Sequence, residues 1–429
     1  MNVLLIGGGG REHALAWKIA QSPRLRTLYC APGNGGMGAV GACVGLDGMD
    51  GTAVEAFVRA HGIDLVVVGP EGPLVAGLSD RLRQGGVAVF GPSQAAAAIE
   101  GSKVFMKELC TRHRIPTAAY QVFQDPQQAM EYVRAQGVPI VVKASGLAAG
   151  KGVVVCHTLD EAQAAIQSIL VERVFGAAGE NLVVEGFLRG EELSFLALVD
   201  GKEILPLAGC QDHKAVGEGD RGANTGGMGA YSPTPLLTPE LQERVMAQVM
   251  RPLVAAMAAE GFPYRGVLYA GLMIDAGQVQ VLEFNARFGD PETQPLLMRM
   301  RSDLLPLLLA CATGSLRGMT IDWDPRPALC VCMVAGGYPG AYRSGLPIAG
   351  LQAAAHQPDV EIFHAGTRRQ GEQVVTAGGR VLGVTALGAT VAAAQQRAYE
   401  VVQGIQWEEV YYRRDIGYRA VQREQARHE

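Results

Sequence analysis

Residues 281–292 of the chain, Val-Leu-Glu-Phe-Asn-Ala-Arg-Phe-Gly-Asp-Pro-Glu, carry the strongest functional signal in the sequence. Alternate side chains of a strand share a face, so we expect Glu283, Asn285 and Arg287 to project together. A purely structural strand rarely buries three polar groups on one face unless they have partners. Carboxylate and amide oxygens suit Mg²⁺, which keeps waters and nucleotide phosphates in its other positions. The stretch therefore predicts a magnesium site on Glu283 and Asn285, with Arg287 facing the same phosphate.

A glycine-rich loop at residues 145–152, SGLAAGKG, lies between two strand-like runs, PIVVKA and VVVCH. Such a loop can close over a polyphosphate whose charge Lys143 would offset. It is not the GxxxxGK[ST] loop, because Gly146 and Gly150 lie one residue too close and Gly152 stands where Ser or Thr is required. Taken alone, the loop suits a plain β-turn equally well.

Two carboxylates follow the glycine-rich loop, Glu185 at the end of a strand-like run and Glu192 after the next turn. Such acids can accept hydrogen bonds from an adenine amino group and from ribose hydroxyls. Solvated turn acids explain the same pattern.

The chain begins with a hydrophobic run that leads into glycines 7–10 and then a helical pattern, which is typical of a phosphate-binding turn. A dinucleotide fingerprint would need its third glycine at Glu12 or His13, and an acid about 20 residues further on. Neither is present, since the second strand and its loop, residues 28–34, contain no carboxylate. The sequence favours a single phosphate monoester held by the turn and Arg11, and a structural turn that binds nothing is the alternative.

Composition narrows the class of protein. A chain of 429 residues with 48% hydrophobic residues suits a globular α/β enzyme, and its net charge of −5 gives no basic field for a nucleic acid. The longest apolar run, residues 304–312, contains Pro306 and is too short to span a bilayer. The N-terminus lacks the basic flank of a signal peptide. Eight cysteines without a CxxC pair favour the reducing cytoplasm, and Cys330 and Cys332 are expected to be buried side chains.

The order of patterns predicts three domains in an α/β fold. Strand-like runs that end in Gly or Pro alternate with helical stretches over residues 1–101, which indicates a doubly wound parallel sheet. Ser93 and Ser102 are expected to cap helices. The two prolines of residues 322–327 suggest a boundary before a small α+β domain.

Between these ends, three further features are predicted from the local pattern. Residues 210–232 lose periodicity and are expected to form a long functional loop. A helix is expected at about 239–260, and the runs YAGLMID and QVQVLEFN are expected to pair as strands turned at residues 275–277.

Several motifs, in order, resemble one family. KASGLAAGKG, VVEGF, GEELS, DHKAV, ANTGGMGAYSP and LEFNARFGDPETQ resemble the ATP-grasp fold, and specifically the glycinamide ribonucleotide synthetase (phosphoribosylamine–glycine ligase) family. GGREHALAW, APGN, VVGPE, FGPS, EGSK, GGYPG and FHAGT are similar to the same family. The resemblance implies a phosphoribosylamine domain at 1–101, an ATP-grasp domain at 102–323 with a lid at about 116–190, and a closing domain at 324–429.

The resemblance also implies roles for matching residues. It implies ATP contacts for Lys103, Lys143, Gly150, Lys151, Gly152, Glu185, Gly186, Phe187, Leu188 and Glu192. It implies Mg²⁺, with Mn²⁺ as a substitute, on Glu283 and Asn285, and catalytic roles for Arg287, Asp290, Lys214 and Asp212. It implies contacts with phosphoribosylamine and glycine for Gly9, Gly10, Arg11, Glu12, Asn34, Glu71, Asn224, Thr225, Gly226 and Gly227.

Four positions depart from the family pattern: Ser145 stands for Asp, Gly186 for a second acid, Ala223 for Pro and Gly8 for Asn. None of them removes an expected metal ligand or phosphate lysine.

The implied reaction joins glycine to phosphoribosylamine through glycyl phosphate, with release of ADP and phosphate, in purine biosynthesis. We expect a cytoplasmic monomer that acts on small molecules, without nucleic-acid or membrane partners. Two alternatives stay open: another ATP-grasp carboxylate–amine ligase or carboxylase, and a catalytically silent nucleotide-binding module.

Overall fold

The first hundred residues form a parallel sheet between helices, as predicted. The computed structural model describes residues 1–148, 151–354 and 357–426. The strands are Asn2–Gly7 (β1), Thr27–Pro32 (β2), Ala42–Cys43 (β3), Leu65–Val68 (β4) and Ala88–Phe90 (β5), in the order β3-β2-β1-β4-β5 with parallel pairing. The helices are Gly10–Ala20 (α1), Gly51–His61 (α2), Glu71–Val75 (α3), Leu78–Gln84 (α4) and Gln94–Gly101 (α5). The central strands β1 and β4 are almost wholly buried, as a sheet covered on both faces requires. The turn after β1 and the start of α3 therefore meet at one edge of the sheet.

A second, antiparallel sheet follows the linking helix and will be called the lid sheet. The linking helix is Lys103–Arg112 (α6), and the elements of the lid sheet are Tyr120–Phe123 (β6), Pro126–Gln136 (α7), Ile140–Ala144 (β7), Val153–Cys156 (β8), Leu159–Ile166 (α8) and Leu182–Gly186 (β9), with the strand order β6-β9-β7-β8. The predicted caps are confirmed, because the hydroxyls of Ser93 and Ser102 accept hydrogen bonds from the N–H groups of Ala96 and Phe105, both at 3.2 Å.

The central sheet holds the predicted strand pair. The next elements are Glu191–Asp200 (β10), Ile204–Pro206 (β11), Gln211–Asp212 (β12), Ala215–Gly217 (β13), Arg221–Asn224 (β14), Gly229–Ser232 (β15), Pro239–Val245 (α9), Arg251–Ala259 (α10), Arg265–Asp275 (β16) and Gln278–Asn285 (β17). The sheet runs β11-β10-β16-β17, and a π-helical turn, Met246–Met250, joins α9 to α10 as one helix. The β16–β17 turn is where the sequence placed it, with positive φ at Ala276 (46°) and Gly277 (78°).

The prediction that residues 210–232 form one long loop is wrong. The segment contains the four short strands β12 to β15, of which β13 and β14 form a hairpin. Strands β12 and β15 instead join the C-terminal sheet, where β15 pairs with a strand about a hundred residues further along the chain. Strand β15 is stabilised by this remote partner, so the polar, glycine-rich local pattern did not reveal it.

The C-terminal part is the α+β layer that the sequence predicted. Two helices, Thr293–Arg299 (α11) and Leu304–Thr313 (α12), precede it, and its own elements are Ala328–Val334 (β18), Leu351–Ala354 (α13), Val360–His364 (β19), Thr367–Gln370 (β20), Gln373–Thr376 (β21), Arg380–Leu387 (β22), Val391–Gln403 (α14) and Tyr418–Gln425 (α15). The sheet order is β12-β15-β18-β22-β19, and β20–β21 is a separate hairpin. Cys330 and Cys332 on β18 are both buried, as predicted. In the described ranges no helix is both long and apolar enough to cross a membrane.

A buried histidine pair joins the N-terminal and C-terminal parts. Nδ1 of His13 on α1 accepts a hydrogen bond from the backbone N–H of His364 at the end of β19, at 2.7 Å. Burial, together with the neighbouring His364, lowers the pKa of His13 to about 3. Burial, together with Arg369, lowers the pKa of His364 to about 4. Both rings therefore stay neutral in the folded chain at pH values where an unfolded histidine gains a proton.

This histidine pair makes the free energy of unfolding depend on pH in the acidic range. Below about pH 6.5 the unfolded chain binds more protons at these positions than the folded chain, so the free energy of unfolding falls as the pH drops toward 4. His13→Asn places an amide oxygen near the position of Nδ1 but cannot titrate. Between about pH 6.5 and 5 we expect the variant to lose roughly 1–2 kcal/mol less stability than the wild type. Urea unfolding across this range measures the difference, and parallel curves for the two proteins would contradict it.

Candidate active site

One cavity of about 410 Å³ lies between the lid sheet and the central sheet. Its apolar wall comes from both sheets, with Val141, Val153 and Val155 on the lid side and Met273 and Leu282 on the other. A cavity with apolar residues from two sheets suits a planar aromatic ring, and polar groups line the same cavity.

Most of the residues expected to contact ligands line this cavity. They are Arg11, Glu71, Lys103, Lys143, Gly152, Glu185, Gly186, Phe187, Leu188, Glu192, Asp212, Lys214, Asn224, Thr225, Gly226, Glu283, Asn285, Arg287 and Asp290. Six other described residues that the sequence selected do not line it: Gly9, Gly10, Glu12, Asn34, Lys151 and Gly227. Gly150 lies outside the described residues.

The glycine turn after β1 is occupied by the chain's own carboxylates. The N–H of Gly9 donates to Glu12 Oε2 at 2.7 Å, and the N–H of Arg11 points at Asp290 Oδ2 at 3.4 Å. A side chain at Gly9 would collide with the Glu12 carboxylate, which explains a glycine at this position. Glu12 is buried and accepts from Arg11 Nε at 2.6 Å. Within the turn, only the Arg11 side chain reaches the cavity, so the predicted phosphate contact depends on that side chain.

Asn34 and Lys151 make other contacts than the sequence suggested. The Asn34 amide donates to Gly8 O at 2.9 Å and to His364 O at 2.7 Å, and its oxygen accepts from the N–H of Gly36 at 3.0 Å. It therefore shapes the turn instead of facing the cavity. Lys151 donates to Pro339 O at 2.8 Å and so connects the lid with the C-terminal part.

The end of β17 places Glu283 and Asn285 on the cavity wall, as their spacing predicted. Arg287 lies two residues beyond the strand but lines the same cavity. Its guanidinium donates to Asn285 Oδ1 at 3.1 Å and pairs with Glu71 at 3.2 Å and Glu100 at 3.0 Å. Arg287 thus fastens the N-terminal part to the central sheet.

Three lysines of the cavity, Lys103, Lys143 and Lys214, lie near the Glu283 carboxylate. Lys214 Nζ lies 2.7 Å from Glu192 and 3.9 Å from Glu283. Burial alone would raise the pKa of Glu283, but Lys214, Lys143 and Lys103 outweigh it and hold that pKa below its usual value. Glu283 is therefore ionised at neutral pH, as a metal ligand must be.

Glu185, expected at the adenine, is held by two lysines. Its carboxylate forms ion pairs with Lys107 and Lys143 and is only 3% exposed. Burial would raise its pKa, but the two lysines hold it below its usual value. The neighbouring hinge, residues 186–188, lines the cavity.

The donor set at Glu283 and Asn285 fits a nucleotide-bound divalent ion. Nowhere in residues 1–148, 151–354 and 357–426 do three or more His, Cys, Asp or Glu side chains converge as a metal cage. Mg²⁺ is often held by one or two protein oxygens plus phosphates and waters, which this pair can supply. Asn285 Oδ1 accepts one hydrogen bond from Arg287 and keeps a second lone pair for an ion.

Asp212 and Glu292 face the same region. Burial raises the pKa of Asp212 to about 8, with Lys214 opposing the shift and Glu292 adding to it. The sequence selected Asp212 through the DHK motif but gave Glu292 no role.

Three further residues at the site were also missed: Glu100 and Arg380 line the cavity, and Lys107 pairs with a lining residue. Glu100 accepts the Ala286 N–H at 2.6 Å, and burial raises its pKa to about 7 although Arg287 opposes the shift. The EGSK motif, which contains Glu100, was the only feature of the sequence that pointed to this residue. Lys107, one turn after Lys103, lies beside the lining and pairs with Glu185.

Arg380, on β22, brings the C-terminal part to the cavity. It donates to Gly226 O and Asp290 O, both at 2.6 Å, and pairs with the Asp290 carboxylate at 3.3 Å. No local pattern marks it, because its partners lie 90 or more residues away.

Known protein families match the chain in three consecutive segments, which correspond to the three parts of the structure. The chain matches the phosphoribosylglycinamide synthetase N domain over residues 1–100, the ATP-grasp (A) domain over 101–293 and the C domain over 328–419. The chain belongs to the phosphoribosylglycinamide synthetase family. It is 56% identical to phosphoribosylamine–glycine ligase from Yersinia pestis, with 99% of this chain and 100% of the relative covered. The ligase from Rhizobium meliloti (strain 1021) shows the same identity and coverage.

Solved structures extend the likeness beyond this family. The crystal structure of phosphoribosylamine–glycine ligase from Thermotoga maritima superposes with a TM-score of 0.85 at 32% identity, covering 97% of this chain and 100% of that one. A biotin carboxylase from Campylobacter jejuni reaches a TM-score of 0.73 at 13% identity, covering 95% of this chain and 92% of that one. The latter shows a shared fold alone.

Glu283→Gln tests the central oxygen pair. The change keeps the size of the side chain and removes the charge that faces the lysines, so we expect kcat to fall roughly 100-fold or more. Steady-state turnover at about millimolar Mg²⁺ measures this, and circular dichroism checks the fold. Glu240→Gln, at an exposed position at the start of α9, serves as the matched control. Near-normal turnover of Glu283→Gln would overturn the assignment.

Proposed function

We propose that the chain joins glycine to phosphoribosylamine at the expense of ATP, giving glycinamide ribonucleotide, ADP and phosphate. Its relatives at 56% identity carry the name of this ligase. The observation that carries the proposal is the meeting of Glu283, Asn285 and three lysines in one cavity that all three parts of the chain line.

ATP fits the cavity along its length. The purine ring would lie between the apolar faces of the two sheets, with its edge on the hinge at residues 186–188. Glu192 would accept from the ribose, and Lys103, Lys143 and Lys214 would offset phosphate charge. When bound at Glu283 and Asn285, a divalent ion, which we propose is Mg²⁺ with Mn²⁺ as a substitute, neutralises charge on the phosphates.

The proposed reaction explains why several lysines and arginines line one cavity. Glycine's carboxylate is a poor electrophile, so its oxygen must first attack the γ-phosphorus of ATP, which releases ADP and forms glycyl phosphate. The amine of phosphoribosylamine then attacks the acyl carbon and loses a proton, and phosphate leaves with the oxygen it received from the carboxylate. Arg287 and the lysines stabilise the charge that spreads over the transferred phosphoryl group.

Glycyl phosphate must be kept from water, and the surrounding elements can do this. Residues 146–148 and Gly152 line one side of the cavity, and residues 224–226 line another. Arg380 fastens that second segment to Asp290 through their carbonyl oxygens. We propose that these contacts close the site during turnover.

Phosphoribosylamine would enter from the N-terminal part. Arg11 and Glu71 line that end of the cavity, where Arg11 would contact the phosphate. Asn224, Thr225 and Gly226 would border the acceptor from the other side. In this account the chain acts in purine biosynthesis as a cytoplasmic monomer.

A substrate panel tests the function against its main alternative. We expect ADP release only when glycine and phosphoribosylamine are both present, and none with bicarbonate as the acid. ADP release with bicarbonate would favour an ATP-grasp carboxylase. The absence of turnover with every acid would favour a silent nucleotide-binding module.

Arg11→Met tests the acceptor end. The variant keeps much of the buried stem but removes a charge-assisted contact, so the KM for phosphoribosylamine should rise roughly 10- to 150-fold. The KM values for ATP and glycine should stay within about threefold. Because Glu12 loses its partner, the melting temperature is recorded alongside. Arg24→Met, at an exposed position, is the control. An equal rise in the KM for ATP would contradict the assignment.

A further inference from the structure

Glu292 is the most enclosed carboxylate of the cavity that the proposed mechanism does not use. Its side chain is 3% exposed and lines the cavity. Oε1 accepts a hydrogen bond from Ser194 Oγ at 3.0 Å, and that hydroxyl lies 3.0 Å from the hydroxyl of Tyr269. These two neighbours are themselves buried, so the carboxylate is held in one orientation.

The other oxygen of Glu292 has no protein partner. Oε2 accepts no hydrogen bond and meets no cation within 4.0 Å among the residues that the structure describes. Gly289 leaves the space beside it, since a side chain there would collide with the carboxylate. Because Glu292 lines the cavity, this oxygen can accept a hydrogen bond from a ligand donor there.

Six of the other cavity carboxylates already have ion-pair partners. Glu185 and Glu192 pair with lysines, and Glu71 and Glu100 pair with Arg287. The remaining two are Glu283, which faces Lys214, and Asp290, which pairs with Arg380. Within the described part of the chain, only Asp212 and Glu292 line the cavity without an ion-pair partner.

Glycine is a zwitterion, so its site needs a cation for the carboxylate and an anion for the ammonium group. Arg287 and Glu292 lie on the wall of the same cavity and supply one of each. A fixed carboxylate accepts from an ammonium group through a charge-assisted hydrogen bond, which is among the stronger polar contacts in proteins.

Resting on the proposed function, we propose that Glu292 binds the ammonium group of glycine, oriented by Ser194 and Tyr269. Asp212 lies on the same wall and borders the ammonium site. The contact selects amino acids over simple carboxylic acids, because a carboxylic acid without the ammonium group would leave Oε2 unpaired.

Glu292→Gln tests this contact. The apparent KM for glycine should rise roughly 10- to 150-fold, as the loss of one charge-assisted hydrogen bond predicts. The KM values for ATP and phosphoribosylamine should stay within about threefold. Acetate, which has the carboxylate but lacks the ammonium group, should inhibit the variant and the wild type equally well.

Two further variants keep the test decisive. Glu292→Asp retains the charge and should recover part of the glycine affinity. If Glu292→Gln does not fold by circular dichroism, Ser194→Ala takes its place, and it should raise the KM for glycine alone by a few-fold. Any of four results would overturn the proposal. They are an unchanged KM for glycine, an equal rise in the KM for all three substrates, weaker inhibition of the variant by acetate, and a rise in KM confined to phosphoribosylamine. If the wild-type rate of ADP release did not depend on the glycine concentration, the proposed function itself would be overturned instead.

Discussion

Most cations of the cavity pair with carboxylates of the same chain, and the rest of the site depends on this pairing. Burying a charge is costly unless a partner and hydrogen bonds compensate for it. Glu185 compensates Lys143, Glu192 compensates Lys214, and two acids of the N-terminal part compensate Arg287. Under the proposed function, this pairing holds Lys143 and Lys214 in place before ATP binds, so little reorganisation is needed when its phosphates arrive.

The same pairs hold the three parts of the chain around one cavity. Arg287 connects the central sheet with Glu71 and Glu100, and Arg380 reaches from the C-terminal sheet to Asp290. The biotin carboxylase that shares the fold has little sequence in common with this chain. Selection of substrates must therefore come from the particular side chains at the cavity and not from the arrangement of sheets.

Sequence patterns predicted what depends on neighbours along the chain. The strand β17 and its alternation placed Glu283 and Asn285 on one wall, and the helix caps at Ser93 and Ser102 followed from residue type. Patterns failed where distant segments decide the structure. Strand β15 is held in its sheet by the remote strand β18, and Arg380 reaches the cavity only through the fold.

The central claim is that glycine's carboxylate takes the γ-phosphoryl group of ATP before the amine attacks. Glycine labelled with ¹⁸O in both carboxylate oxygens tests it directly, because the bridging oxygen of glycyl phosphate leaves with phosphate. After turnover with phosphoribosylamine, mass spectrometry should find one ¹⁸O atom in each released phosphate and one in each product amide. Phosphate without label would contradict the account.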